Sequence, residues 1–259
     1  MQARDGNKEH NRQQNNNEST DINSIDHAVV MIIDETGDPG KEIIKGDTLF
    51  AMTAVITERS GDIGHIARIF RTMLKVSELK ARKTDETTRN TIIVALKELD
   101  PEICCVYIDK AAEDNPKWWV EHKNRKVVYR KIFFETVCEA LSRVKKDNVK
   151  ILVDKHKHLA GGIGEELVRC AAARNRKIIV GCSMENSQTG EQRDQLQTND
   201  YVPYSVREKI VHGRPDNADR LDIKFKKLTK ENVIEWGCPL GLSETSVRGA
   251  YGYTYYVEV

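Results

Sequence analysis

Apolar residues occur along the chain in short runs that predict β-strands, separated by longer stretches with helical spacing. Residues 29–33 form five consecutive apolar positions, rich in valine and isoleucine, which predicts a buried strand at 29–34. A second apolar run at 49–57 predicts the next strand. The link between the two runs is short and rich in turn-forming residues, so we expect an antiparallel hairpin rather than a parallel crossover.

Beyond the hairpin, helical and strand patterns alternate along the chain. Helical spacing is found at 63–74, around 92–99, at 127–144, at about 164–173 and at roughly 194–212. Further strands are predicted at 103–109, 149–154 and 177–182. A β-hairpin followed by alternating helices and strands predicts an α/β fold, in which helices flank a mixed sheet.

Three segments of the chain differ in composition. Residues 1–26 are polar and contain few apolar side chains, so we expect a disordered tail. Residues 27–213 carry the strand and helix patterns and form the predicted folded domain. The pattern weakens at 214–259, which we interpret as a C-terminal extension packed on the same domain. This extension could be a hairpin or a helix, and 251–256 has a strand-like pattern.

Composition narrows the class of protein. Of 259 residues, 39% are hydrophobic and 31% are charged, and 41 basic residues nearly balance 40 acidic ones. Net charge therefore indicates no polyanionic partner, and any basic surface must be local. No apolar run approaches the ~18 residues that a membrane span needs, so we expect no membrane partner. The six cysteines form no CxxC pair and most lie in apolar segments, which favours reduced thiols in a cytoplasmic protein.

Acidic residues at the end of the first strand are the strongest indication of chemistry. That strand runs directly into Asp34, Glu35 and Asp38, in a segment that also contains Gly37. Burying an unpaired carboxylate costs several kcal/mol, so acids at the mouth of an apolar strand need a cation. The sequence therefore predicts a bound cation at this turn, and a metal ion is the favoured one.

Other acids are candidates to join this site. Asp109 and Asp154 end two later strands, and for Asp109 a role as a turn former is favoured, because strand-terminal aspartates often serve that purpose. The local context of Glu78 and of Asp200 leaves a metal-binding and a structural role equally open. Gln197 and Asp200 are three residues apart, which would place them on one face of a helix.

Carboxylates that meet at one point favour a divalent metal. At 4 Å and an effective dielectric constant near 20, each pair of like charges costs about 4 kcal/mol. Mg²⁺ or Mn²⁺ would relieve this repulsion, and two such ions about 4 Å apart can hold a phosphodiester for attack by water. Lys80, close to Glu78 in the sequence, is a candidate contact for the scissile phosphate.

Short motifs, in order along the chain, carry a family resemblance. They are DETGD at 34–38 after the first strand, a second apolar strand, ELK at 78–80, a strand ending in Asp154, and LQ-x-x-D at 196–200. This ordered set resembles the domain-of-unknown-function family numbered 3800, which has a ribonuclease H-like fold. The resemblance implies a ribonuclease H-like mixed sheet and a metal-dependent nuclease. The acids that it implies as catalytic and metal-binding are Asp34, Glu78, Asp154 and Asp200.

Further residues complete the predicted site. They comprise one more metal ligand, one catalytic lysine and three supporting residues: Glu35, Lys80, Gly37, Asp38 and Gln197. The chain departs from the family pattern at Asn199, where alanine is usual. It also departs at Pro203, which would interrupt a helix that continues past Asp200.

A segment at 116–131 combines aromatic and cationic side chains and has two interpretations. In the first, Trp118 and Trp119 stack on bases while nearby cations contact phosphates. Those cations are Lys123, Arg125, Lys126 and Arg130. In the second, the tryptophans pack on the core ahead of a solvated helix start. The sequence gives the two interpretations equal weight.

The sequence as a whole predicts a nuclease that hydrolyses phosphodiester bonds of RNA or DNA, with Mg²⁺ or Mn²⁺ as cofactor and nucleic acid as partner. The alternative is a non-catalytic ribonuclease H-like module that binds nucleic acid or a protein. The presence of all four candidate acids favours catalysis. An aspartyl-phosphate phosphotransferase would need a second aspartate two residues after Asp34, where the chain has Thr36.

Overall fold

The computed structural model describes residues 28–40, 48–121, 124–190 and 192–233 of the 259-residue chain. Within these ranges the strands are β1 (Val29–Gly37), β2 (Leu49–Thr57), β3 (Glu102–Asp109), β4 (Asn148–Asp154), β5 (Ile178–Glu185) and β6 (Lys224–Lys227). The helices are α1 (Ser60–Leu74), α2 (Glu86–Lys97), α3 (Lys117–Glu121), α4 (Arg125–Arg143), α5 (Ile163–Asn175), α6 (Arg193–Asn199), α7 (Tyr201–His212) and α8 (Asp216–Arg220). Helices cover both faces of one mixed sheet, which confirms the predicted α/β architecture.

The sheet is built around the N-terminal hairpin, in the order β5-β4-β1-β2-β3-β6. β1 and β2 pair antiparallel over nearly their whole length, which confirms the predicted hairpin. β4 lies parallel to β1, β5 lies parallel to β4, and β6 lies parallel to β3. The C-terminal ends of β1, β4 and β5 therefore lie side by side, and this edge of the sheet is where parallel strands commonly form a crevice for chemistry.

Two hydrophobic layers enclose the sheet, because successive side chains of a strand point to opposite faces. Met31 and Ile33 of β1 face the layer formed by α3, α4 and α5. Ile32, between them, faces the layer formed by α1, α2, α6, α7 and α8. The same alternation continues past the apolar run, so that Asp34 and Glu35 point to opposite layers.

The single helix predicted at 194–212 is wrong, because two helices meet at Asp200. Pro203 lacks the N–H that would bond to the carbonyl of Asn199, and its ring would clash with that carbonyl. α6 accordingly ends at Asn199, and Pro203 lies in the first turn of α7, where a missing N–H leaves no bond unmade. The interruption expected from Pro203 is present, and it falls at Asp200 rather than at the proline.

The described part of the predicted C-terminal extension joins the same sheet and helix layers. α8 contributes Ala218 to the layer that contains α2 and α7, and β6 adds a strand beside β3. The tail at 1–26 and the strand-like segment at 251–256 lie outside the described residues. In the ranges that the structure covers, no helix has the length and apolar character to cross a bilayer. The five cysteines in those ranges are free thiols, and Cys238 lies outside them.

Candidate functional site

The ends of β1 and β4 place Asp34 and Asp154 side by side. Ile33 pairs with Val153 in the parallel ladder, and the two aspartates are the next residues of their strands. Both therefore point to the face on which Ile32 is buried. Asp34 is only 9% exposed. Two carboxylates thus meet at the sheet edge, one of them almost wholly out of water.

Asp200 reaches the same region from the break between α6 and α7. Its Oδ2 accepts a hydrogen bond from the N–H of Ala81 at 2.7 Å. This bond ties the helix break to the loop that carries Glu78 and Lys80. In that loop Lys80 Nζ lies 3.4 Å from Glu78 Oε1, and the two side chains form an ion pair.

Gln197 connects this loop to the strand ends. Its Oε1 accepts a hydrogen bond from the N–H of Leu79 at 3.0 Å, and its Nε2 donates to the carbonyl of Ser187 at 2.7 Å. The N–H of Ser187 in turn donates to Asp154 Oδ1 at 3.3 Å. A chain of hydrogen bonds therefore runs from the ELK loop through α6 to the end of β4.

Burial and mutual repulsion disfavour the charged forms of the buried aspartates. Burial raises the pKa of Asp34 well above its usual value, and the carboxylates of Glu35, Asp200 and Asp154 raise it further. Burial also raises the pKa of Asp200, although the hydrogen bond from Ala81 and the charge of Lys80 act in the opposite direction. Such a group of acids holds protons unless a cation replaces them.

Lys80 lies in the electrostatic field of all four predicted acids. Burial lowers the pKa of this ammonium, but attraction to the carboxylates more than offsets that effect and raises the pKa above its ordinary value. In order of decreasing strength, the attracting carboxylates are those of Asp200, Glu78, Asp34 and Asp154. Four acids from separate stretches of the chain therefore act together on one cation.

Glu35 points away from these acids, to the opposite face of the sheet. Its Oε2 accepts a hydrogen bond from Tyr129 OH on α4 at 2.9 Å. Burial raises the pKa of Glu35 to about 7, although the Tyr129 bond lowers it. The ring of His156 stacks on Tyr129, with ring centroids 4.1 Å apart. Strand alternation thus separates Glu35 from the expected ligand set and gives it a partner in the α4 layer.

Gly37 and Asp38 shape the turn that follows Asp34. Gly37 has a φ of 87°, and a Cβ there would lie 2.1 Å from the carbonyl oxygen of Leu49, so the position requires glycine. Asp38 Oδ1 accepts a hydrogen bond from the N–H of Gly40 at 2.9 Å, and its Oδ2 lies 3.4 Å from Arg125 Nη2. Both residues support the turn rather than approach the four acids.

Asp109 lies at the same sheet edge but apart from the site. Asp109 pairs with Leu49 of β2, whereas Asp34 pairs with Thr53 of the same strand. Leu49 and Thr53 are four residues apart, so the two aspartates are about 13 Å apart along the strand direction. Asp109 Oδ1 accepts a hydrogen bond from the N–H of Ala111 at 3.1 Å. Asp109 is therefore a turn former, the role favoured for it in the sequence.

The chemistry of the four carboxylates suits Mg²⁺ or Mn²⁺, which prefer oxygen ligands. Glu78 Oε1 is buried and receives no hydrogen bond from the residues described, and its one described partner is the Lys80 ammonium at 3.4 Å, a charge that a metal ion could replace. In the described ranges, however, no three His, Cys, Asp or Glu side chains are placed to hold a metal ion together. Backbone N–H groups hold Asp34, Asp154 and Asp200, so these side chains must turn towards a common point to chelate an ion.

Sequence reasoning missed Glu185, which ends the third parallel strand at this edge. Glu185 pairs with Asp154 in the ladder between β4 and β5. Its Oε2 accepts a hydrogen bond from the N–H of Gln192 at 2.7 Å, which shapes the loop before α6. The predicted strand stopped at 182, and an acid three residues beyond that point was the available signal.

Burial of the tryptophans corrects the base-stacking interpretation of 116–131. Trp118 and Trp119 are 7% and 5% exposed and belong to the α4 layer, so their faces are covered by protein. A base can stack only on an accessible ring face. Two of the four predicted phosphate contacts, Arg125 and Lys126, lie in the first turn of α4. A third, Arg130, is only 7% exposed and its Nε donates to the carbonyl of His158 at 2.9 Å, so the prediction for it is wrong. Lys123 lies outside the described residues.

Two comparisons with known proteins gave no match. No family model and no curated protein matches the chain. The resemblance based on the ordered motifs therefore stays a prediction.

Two fully buried amides on α6 are expected to respond differently to alanine. Gln197→Ala removes the bonds to Leu79 N–H and to the Ser187 carbonyl and leaves both groups unpaired, which should cost about 3 kcal/mol. Asn199→Ala removes a buried amide that bonds to none of the described residues, so stability should hold or rise by about 1 kcal/mol. Urea unfolding of each variant measures the difference, and equal losses would contradict the assignment.

Proposed function

We propose that the chain is a divalent-metal-dependent nuclease that hydrolyses phosphodiester bonds of RNA or DNA. The observation that carries this proposal is the parallel pairing of β1 with β4, which sets Asp34 beside Asp154. The bond from Ala81 N–H to Asp200 and the ion pair of Lys80 with Glu78 add two more acids from the adjoining loop and helix break. A buried group of carboxylates is unfavourable in the charged state and needs a compensating cation. Asp34 and Asp154 come from distant parts of the chain to neighbouring ends of parallel strands, an arrangement that serves chemistry more readily than stability.

Each residue has a role in the proposed reaction. Asp34 and Asp154, on neighbouring strand ends, would hold the ion, and Glu78 and Asp200 would complete its carboxylate shell. Bound there, Mg²⁺ or Mn²⁺ would lower the pKa of a coordinated water and stabilise charge on the phosphate. Lys80 would leave its carboxylate partners to hold the scissile phosphate, whose negative charge replaces theirs.

We also propose that the fold is ribonuclease H-like. Its support is the order of elements, with an antiparallel hairpin first and then helices that alternate with strands. β4 lies parallel to β1, and the ends of these two strands carry Asp34 and Asp154. The family resemblance implies the same elements and the same placement of two acids.

Metal dependence tests the proposed activity. We expect labelled RNA, DNA or an RNA–DNA hybrid to be cleaved in Mg²⁺ or Mn²⁺ and to stay intact in excess EDTA, because the proposed reaction needs a bound cation to lower the pKa of the attacking water and to offset charge on the phosphate. Running the three substrates in parallel identifies the nucleic acid that the chain prefers. Cleavage that persists in the chelator would contradict a carboxylate-bound metal as the catalyst.

One observation favours a second candidate, a non-catalytic module that binds nucleic acid or a protein. Among the described residues no three acids converge on one point, and Lys80 already neutralises part of their charge. In this alternative Lys80 is the permanent counter-ion of the acids. In a filter-binding assay with any divalent ion, the non-catalytic module would bind an oligonucleotide and leave its length unchanged. The nuclease would cleave the oligonucleotide to shorter products.

A further inference from the structure

A cleft rich in arginine lies beside the acid site. It is bounded by α1, by the loop that follows α1 and by the start of α6, and its volume is about 440 Å³. Its lining residues are Arg68, Arg71, Thr72, Val76, Ser77 and Arg193. Three arginines, one threonine and one serine therefore line one space, and none of these described lining residues is acidic.

One carboxylate behind the cleft holds the three arginines together. Asp194 Oδ1 lies 2.5 Å from Arg71 Nη2 and 3.7 Å from Arg193 Nε. Asp194 Oδ2 lies 3.2 Å from Arg68 Nη1. A single negative charge thus faces three positive ones, which leaves this group of described residues with a positive excess. One carboxylate can also accept bonds from only a few of the N–H donors that three guanidinium groups carry.

The arginines differ in how far they are open to a ligand. The side chains of Arg68 and Arg193 are 53% and 46% exposed, whereas that of Arg71 is 11% exposed. Arg71 is also fixed by Gln197, whose Oε1 accepts a hydrogen bond from its Nη1 at 3.4 Å. Arg68 and Arg193 can therefore contact a ligand, while Arg71 and Asp194 position them.

The cleft and the acid site share a wall. Ser77 lines the cleft, and the next residue is Glu78. Gln197 Oε1 accepts hydrogen bonds from Arg71 in the cleft and from the N–H of Leu79 in the ELK loop. The cleft therefore adjoins the loop that carries Glu78 and Lys80, so a strand bound at the acids would meet the arginines next to them.

We propose that this cleft binds a backbone phosphate of the substrate strand, next to the phosphate that is cleaved, and so aligns the strand at the acids. This inference rests on the proposed nuclease function. Guanidinium groups match phosphate oxygens with paired hydrogen bonds and keep their charge at any physiological pH. The four acids repel a polyanion, so a cationic surface beside them is needed to hold the strand in place.

Binding of labelled single-stranded RNA and DNA to the full chain tests this role. Fluorescence anisotropy is measured in EDTA, so that no substrate is consumed. The double variant Arg68→Gln/Arg193→Gln should bind about fivefold more weakly per arginine near 0.1 M salt, because each contact on a single strand releases ~0.7 counterion. For the same reason, the slope of log Kd against log salt should fall by roughly 1.4.

A matched control removes the same charge elsewhere. Arg59→Gln/Arg169→Gln changes two exposed arginines outside the cleft, paired with Asp62 and Glu166 respectively, and should leave the affinity and the salt slope unchanged. Thermal unfolding of both double variants checks that they fold. If the control variant lost as much affinity as the cleft variant, the loss would be explained by net charge alone, and the proposal would be overturned.

Other outcomes separate this inference from the nuclease proposal. If the wild-type chain cleaves but the cleft variant binds as the wild type does, the cleft proposal fails and the nuclease proposal stands. If the wild-type chain binds through Arg68 and Arg193 but cleaves nothing, the phosphate site stands and the nuclease proposal fails. Binding of inorganic phosphate or a mononucleotide at these arginines, without binding of either oligonucleotide, would overturn the assignment to a strand.

Discussion

Asp34→Asn is expected to lower metal-dependent cleavage by about three orders of magnitude, because a lost metal ligand removes several kcal/mol of charge stabilisation and 1.36 kcal/mol is tenfold in rate. Asp34 is buried and acted on by neighbouring carboxylates, so a bound cation would offset a charge that its surroundings disfavour. Asparagine keeps the shape of the side chain, and the fold should persist by circular dichroism. Initial rates on the preferred substrate measure the loss.

Asp109→Asn is the matched control for that loss. It changes the same functional group at the end of a strand in the same sheet, but its carboxylate serves the turn at Ala111. Its rate should stay within a few-fold of the wild-type rate. A comparable loss in both variants would mean that the wrong strand end was assigned, and full activity of Asp34→Asn would refute the carboxylate site.

Neutral amides at the buried acids are expected to stabilise the metal-free chain by an amount that grows with pH. Burial raises the pKa of Asp34 above its usual value and that of Glu35 to about 7. Between the unfolded and the folded pKa, the native state holds a proton that the unfolded state has released, so this carboxyl lowers stability as pH rises. Asp34→Asn and Glu35→Gln remove that penalty.

Thermal unfolding in EDTA across a pH series measures this effect as the difference between variant and wild type. The gain for Glu35→Gln should be near zero below about pH 4.5, grow towards pH 7 and then level off at no more than about 3 kcal/mol. The gain for Asp34→Asn should begin to grow near pH 4. Burial lowers the pKa of His158 to about 4, which acts in the opposite direction, but this histidine is common to all variants and cancels.

The pH series has its own contrary outcome. A flat difference between Asp34→Asn and the wild type would show that Asp34 is not held in an environment that disfavours its charge. Because this experiment contains no substrate, its result is independent of whether the chain cleaves nucleic acid.

Strand ends could be predicted from the sequence where an apolar run stops at a turn or an acid. They were harder to predict where polar residues continue the hydrogen-bonded pairing between strands. β2 was predicted to the residue, and β3 and β4 to within one. β1 and β5 run three residues further than predicted, because ladder bonds use backbone atoms and need no apolar side chain. Thr36 pairs with Ala51 in this way, and Glu185 pairs with Asp154.

The four candidate acids could be read from the sequence, but their contacts with one another could not. The four acids follow from ordered motifs, each readable locally. Their distances to Lys80 depend on how the loop at 78–80, the strand ends and the break between α6 and α7 pack together. Such packing between distant segments produces no pattern in the local sequence. The opposite orientation of Asp34 and Glu35, by contrast, follows from the two-residue period of a strand and was available in the sequence.

The burial of Trp118 and Trp119 was decided by tertiary packing rather than by composition. Aromatic and cationic residues in one segment look alike whether they face solvent or core. Here α3 and α4 turn the indole rings towards the sheet, where they add to the apolar layer. Hydrophobic burial of such large rings stabilises the fold by roughly 2–3 kcal/mol each, which outweighs any advantage of exposure.

In the proposed nuclease, Lys80 would also uncouple folding from the binding of ions. Because Lys80 places a positive charge among these acids, the fold could close during synthesis before any divalent ion is bound. A newly made molecule would then be folded but inactive, and the availability of magnesium or manganese in its surroundings would decide when it begins to cleave.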